Sequence, residues 1–281
     1  MADRPITRLD KSEVLSGLFG VWDSIDALLD GLPESDWQAP TPLPGWCVKA
    51  VASHIIGTES FLAGIAAPQP DIDVSALDHV RNDIGVMNEC WVRQLSQEPG
   101  AGVLERLRQV TGDRRAALQG MSDEEWNAVM PTPVGPESYG RFMRVRTFDC
   151  WMHEQDIREA LGVWATDEVL ARPGASQTLE EITSRLGYIV GKLGGAPDGS
   201  RIAFELTGPL QRTLRVAVNG RARVVDDFGG ASPTATIQLD GVLFTRLIGG
   251  RTTAEQNRDA IELSGDTEVA RRIAEHLKFV M

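Results

Sequence analysis

The chain has 281 residues, with 40 acidic against 28 basic side chains and a formal charge of −12. At about 100–200 residues per domain this length fits two domains or one large one, and 42% hydrophobic residues is too apolar a content for disorder. Without a Lys/Arg-rich stripe, such a charge argues against nucleic-acid and anionic membrane partners, because both contacts depend on basic side chains neutralising phosphates.

No apolar run approaches the ~18–20 residues that span a bilayer. The polar start MADRPITRLDKSE lacks the apolar core of a secretory signal. Cys47, Cys90 and Cys150 form no CxxC pair, and an odd count does not read as a disulfide framework. The expectation is a cytoplasmic, reduced protein. All seven Trp and all three Cys lie within residues 1–164, and residues 1–165 carry −11 of the total charge. That shift places a domain boundary near 165–173, where Asp167, Pro173 and Gly174 supply turn chemistry. Two domains are expected, 1–165 and 170–281.

The first reads as helices. Leu15, Leu18, Trp22, Ile25 and Leu29 form one stripe over about 10–31, closed by Gly31 and Pro33. The turn-rich PTPLPGW precedes a second helix at about 48–64, with Val51, His54, Ile55, Thr58 and Leu62 on one side. The spacing of Leu77, Val80, Ile84, Met87 and Trp91 predicts a third over about 74–95. A fourth covers 102–119 and a fifth 139–161. Together they suggest a four-helix-type bundle with an extra segment.

The second domain reads as α+β. A helix at about 175–193 precedes strands at 201–206 and 213–218. Asn219-Gly220 predicts a two-residue type I′ hairpin into 221–225. A strand at 234–239, a helix at 242–248, a strand at 261–263 and a final helix capped by Asp266 or Thr267 complete it.

The chain has four histidines. His276 and His79 read as surface, packing or capping residues. Asp149 and His153, in FDCWMHEQDIR, are four apart and so leave one helical face a turn apart. His54 stands in an otherwise apolar stripe. Buried polar groups need partners, so a simple Asp149–His153 pair and a hydrogen-bonded core His54 would each satisfy the pattern. Two imidazoles and a carboxylate from two helices are equally the ligand set of an open divalent-metal site. Asp156 and Arg158 are candidates to orient His153 or bind a ligand anion. Arg81, Arg246 and Arg251 are candidates to hold carboxylates through bidentate forks, or are surface arginines. Cys47 begins a helix and could serve as a nucleophile, but has no partner thiol.

The stretches LPGWCVKAVASHIIGTES, FDCWMHEQDIREALG, GVLFTRLIGGR and IELSGDTEVARRI resemble, in that order, segments of the mycothiol-dependent maleylpyruvate isomerase family. The resemblance implies a DinB-like metal-dependent bundle followed by a sterol-carrier-like α+β domain. It also implies a divalent metal, zinc foremost, on His54, Asp149 and His153, with mycothiol as thiol cosubstrate. The characterised isomerases of that resemblance carry Glu where this chain has Asp149. The function expected is a metal-activated thiolate attacking an electrophilic small molecule, giving isomerisation or an S-conjugate. A mycothiol S-transferase and a non-catalytic small-molecule or lipid-binding protein are the alternatives, in a monomer or homodimer.

Overall fold

The structure, a computed structural model, describes residues 5–132 and 135–278. The first four residues of the polar N-terminus lie outside them. The chain divides into two compact units, Met1–Ala165 and Thr166–Met281.

The first unit holds α1 (Lys11–Leu29), α2 (Glu34–Trp37), α3 (Val48–Leu62), α4 (Asp83–Ser96), α5 (Gly100–Gly120), α6 (Asp123–Asn127), a hairpin of β1 (Val129–Thr132) and β2 (Gly135–Ser138), and α7 (Tyr139–Leu161). Helices α1, α7, α3 and α5 close a four-membered ring of packed neighbours, and α4 lies against the outside of α3. Leu15, Leu18, Trp22, Ile25 and Leu29 are all buried, as the periodicity requires. Helix α3 is covered by α4, α5 and α7 together, so nearly its whole surface is buried. Its polar residues must therefore be paired inside the unit. Lys49, for example, donates to Glu34 Oε1 and to the Glu98 carbonyl, both at 2.7 Å.

Two expectations need correction, and one element was not expected. The third helix does not begin near Val74: a single 3₁₀ turn at Val74–Ala76 is followed by irregular chain, and α4 starts at Asp83. Asn82 caps α4 by accepting from Gly85 N, and Asp73 accepts from Ser75 N. These short side chains offer the backbone local bonds that compete with helix, so Leu77 and Val80 keep helical spacing without being helical. The β1–β2 hairpin was not foreseen, because a Pro- and Gly-bearing segment of four-residue strands gives no alternation. Finally, the turn at Asn219-Gly220 is not type I′.

In the second unit α8 (Asp167–Leu170) and α9 (Pro173–Tyr188) precede β3 (Arg201–Thr207), β4 (Arg212–Asn219), β5 (Arg221–Val224), β6 (Ala235–Asp240), α10 (Gly241–Ile248), β7 (Ile261–Gly265) and α11 (Thr267–Glu275). The sheet order is β5-β4-β3-β6-β7, antiparallel except for the parallel β3–β6 pair. Val218 pairs with Ala222 and Asn219 with Arg221, leaving Gly220 alone at the apex with φ +61°. A type I′ turn needs positive φ at both central residues, and among the described residues only glycines have it. Helix α9 runs into a wider π turn at Ile189–Leu193, which accounts for the longer helix expected there.

Gly57 lies three residues beyond His54 on α3, and a Cβ there would come 2.5 Å from Trp91 Cγ. The backbone of α3 and the indole on α4 are thus in direct contact. Gly57→Ala should gain about 1 kcal/mol of helix propensity but lose about 1–3 kcal/mol to overpacking. The expected net result is a lower midpoint in urea unfolding.

Candidate metal centre

Two local structures fix the helices that bear the site. Ser138 caps α7 by accepting from Arg141 N, which fixes the start of the helix that carries Asp149 and His153 about three and four turns on. The Pro-Gly-Trp turn enters α3 through Trp46 N donating to Leu43 O and Val48 N donating to Ala39 O. It seats the Trp46 ring 5.2 Å from the His54 ring and 6.1 Å from that of His153. The indole Nε1 donates to Glu89 Oε1 at 2.6 Å, and His79 Nε2 lies 2.8 Å from the same oxygen.

His54, Asp149 and His153 converge: one ligand atom from each lies within 4.8 Å of the others. His54 Nε2 is 3.2 Å from Asp149 Oδ2, His153 Nε2 is 3.5 Å from Asp149 Oδ1, and the two imidazoles meet edge to face at 4.8 Å. Both histidines are buried, whereas the Asp149 side chain is 32% exposed, so the cluster opens on the carboxylate side. Asp156, fully buried, places Oδ2 3.2 Å from His153 Nδ1. That leaves Nε2 as the nitrogen facing the cluster. The Thr58 hydroxyl lies 3.5 Å from His54 Nδ1.

The electrostatics differ between the two rings. Burial pushes the His54 pKa down, against the pull of Asp149. Burial acts the same way on His153, but Asp149 and Asp156 outweigh it and its pKa rises. Burial also opposes ionisation of Asp149, yet Arg146, His153 and His54 hold it well below the usual carboxylate range. The site therefore offers one neutral imidazole, one basic imidazole and a firmly ionised carboxylate.

Of the other sequence candidates, Asp156 joins the cluster through His153. Arg158 is buried on a different side of α7, where it donates to Glu154 Oε1 at 2.9 Å and to the Ser24 hydroxyl of α1 at 3.0 Å, in place of a ligand anion. Arg81 is exposed in the chain before α4. Arg246 lies buried on α10, and Arg251 donates to the Gly249 carbonyl at 2.6 Å, both in the second unit. Cys47 is half-buried, with Sγ 3.8 Å from Gln38 Oε1. His79 sits off the helix where it was expected, and His276 ends α11 with Nδ1 2.7 Å from the Arg272 carbonyl. Sequence reasoning missed Arg146, Glu59 and Trp46. For Arg146 and Glu59 the one available signal was a charged residue within stretches otherwise reading as buried, which does not differ from a solvated helix face until the packing is known; Trp46 stood in the turn-rich PTPLPGW with nothing to mark its contact with the histidines.

A four-helix bundle that presents two imidazoles and a carboxylate from neighbouring helices, with a small α+β unit after it, defines a DinB-like two-unit architecture. The chain belongs to the mycothiol-dependent maleylpyruvate isomerase family: the model of the mycothiol maleylpyruvate isomerase N-terminal domain matches residues 18–158, and that of the MDMPI C-terminal domain matches residues 176–272. Two uncharacterized proteins of Mycobacterium tuberculosis, from strains CDC 1551 / Oshkosh and ATCC 25618 / H37Rv, are each 26% identical over 193 residues, covering 66% of this chain and 70% of theirs. The crystal structure of a mycothiol-dependent maleylpyruvate isomerase superposes with a TM-score of 0.59 at 14% identity, over 91% of this chain and 93% of that one. A histidine-to-alanine mutant of the mycothiol-dependent maleylpyruvate isomerase gives 0.57 at 15% identity over the same shares. At those identities the likeness is one of fold.

Burial raises the Cys150 thiol pKa to about 12, against the pull of Arg146, and burial also raises that of Cys90. A raised pKa means that the reactive thiolate stays absent until the pH approaches it. Alkylation of the folded protein between pH 7 and 9 should therefore modify Cys47 alone, with Cys150 and Cys90 reacting only in denaturant. Peptide mass mapping after timed labelling reads this directly.

Proposed function

We propose that this protein is a metal- and mycothiol-dependent isomerase, with the cation held by His54, Asp149 and His153. The observation that carries the reading is the convergence of those three donors from α3 and α7 within 4.8 Å. The donor set fits a divalent ion. Each histidine turns Nε2 toward the carboxylate, and Asp156 takes the opposite nitrogen of His153, the arrangement by which metal-binding histidines are oriented. Two imidazoles and one carboxylate suit zinc and leave coordination positions free. A divalent cation bound there would supply the positive charge that lowers a thiol pKa from its ordinary ~8.5 and so favours thiolate at neutral pH.

The side chains divide the remaining work. Asp149 stays ionised and partly cancels the added charge, leaving a net charge of about +1 that attracts a thiolate. Asp156 fixes the rotation of His153. Trp46, tied to Glu89, covers the imidazole faces and keeps water from that side. Attack of thiolate on a conjugated cis double bond would leave a single bond, free to rotate. Expulsion of the same thiolate restores the double bond as trans and returns the thiol. Maleylpyruvate, the compound in the family's name, has such a bond. S-conjugation would use the same residues and stop after the addition.

The enzyme so read would work in the cytoplasm on small molecules, as a monomer or homodimer. The three cysteines are free thiols. Among the described residues no helix is long and apolar enough to cross a membrane.

Elemental analysis should find about one divalent ion per chain; a pure protein with no ion and no affinity for added Zn²⁺ would sink the site. His54→Ala should retain the helical circular dichroism of the parent while losing the ion and at least about 100-fold in turnover, since it removes a ligand. With mycothiol and maleylpyruvate, the thiol should be recovered and the trans product formed. A stable conjugate would select S-transfer instead, and turnover indifferent to thiol would remove the cosubstrate.

A further inference from the structure

The Asp149 carboxylate is divided between partners. Its Oδ1 faces His153 Nε2 at 3.5 Å, whereas Oδ2, 3.2 Å from His54, also accepts from Arg146 Nη1 at 2.5 Å. Arg146 is no flexible surface cation. It is 4% exposed, and its Nε donates to Glu59 Oε1 at 3.0 Å while Nη2 lies 3.4 Å from Cys150 Sγ. Glu59 has no exposed surface, and its other oxygen accepts from Arg114 Nε at 3.1 Å. Arg114, also buried, donates to the Tyr139 hydroxyl at 2.8 Å.

A line of alternating charge thus runs from α5 through α3 to α7: Arg114, Glu59, Arg146, Asp149. The guanidinium plane of Arg146 is fixed from both ends, because a fork of five donors can serve several acceptors only in one orientation. An exposed i,i+3 pair would leave both partners free to turn away; here burial and Glu59 forbid it.

From this geometry we infer that Arg146 is a positioning residue for the metal site. It keeps Oδ2 engaged and presents Oδ1 as the one oxygen Asp149 contributes, which holds a coordination position open for a thiol. The inference rests on the metal reading given above.

Cobalt(II) titration of the full chain tests it, with visible absorption and calorimetry as readouts. The parent should bind one Co²⁺ per chain. In Arg146→Met the affinity should fall about 10–100-fold, as it does when outer-shell partners of a ligand are removed. The visible band should also weaken, because a freed Oδ2 raises the coordination number. Asp149→Glu leaves the Arg146–Glu59–Arg114 links intact, so it keeps the test alive should Arg146→Met fail to fold. The longer arm changes where the carboxylate sits relative to the fixed guanidinium and should weaken the band likewise. Adding Arg146→Met to it should then cost no more than about twofold further, the signature of one shared interaction. A folded Arg146→Met with parental affinity and spectrum overturns the inference, as does an Asp149→Glu protein with the parental spectrum. A parent that takes up no Co²⁺ would instead overturn the metal reading itself, and this inference with it.

Discussion

Glu59 has no exposed surface, yet two guanidiniums, one from α5 and one from α7, close on its carboxylate inside the bundle. Taking one such charge out of water costs several kcal/mol, recovered only when geometry and partners are both good. Three helices are thereby committed to one relative rotation, since turning any of them would strand a buried charge. The candidate metal centre inherits that rotation: Arg146 reaches back to Glu59 and forward to Asp149, so the charge that ties α3 to α7 also grips a candidate ligand.

Helix α7 serves several interfaces along its length. Near its start, Ser138 and Arg141 bind Thr7 of the incoming chain, and β2 leads directly into the helix. Midway, Asp149 and His153 face His54 on α3. Further on, Glu154 and Arg158 close on Ser24 of α1. Nearly every residue from Gly140 to Arg158 is consequently buried, although the helix has a high content of charge. Such a helix has no clean apolar stripe. Charged residues are tolerated on several of its sides because Arg141, Arg146, Asp156 and Arg158 each meet a complementary polar group there.

Trp46 contributes differently. Its indole lies against two imidazoles that do not touch it through hydrogen bonds, and its one donor is satisfied by Glu89. An aromatic plane beside histidines lowers the water content around them, which strengthens every charge interaction nearby. The turn before α3 is therefore part of the site, even though it supplies no ligand.

Much of this was legible in the chain. The boundaries of α1 and α3 followed from apolar spacing and from glycine and proline at helix ends, because helix periodicity is a local property; α5 and α7 were also expected near their observed bounds. The 149/153 spacing placed a carboxylate and an imidazole on one face for the same reason. The irregular chain ahead of α4 and the turn at Gly220 were misread, since Asn82, Asp73 and a lone left-handed glycine act through side-chain and φ preferences that spacing does not record. Which residues share a helical face could be read from their spacing. That the face of α7 meets His54 on α3, that Arg158 turns to α1, and that Arg146 and Glu59 stand behind Asp149 came from packing. Contacts within a helix are set by 3.6 residues per turn, whereas contacts between helices depend on the relative rotation at which buried charges such as Glu59 and Arg146 find partners.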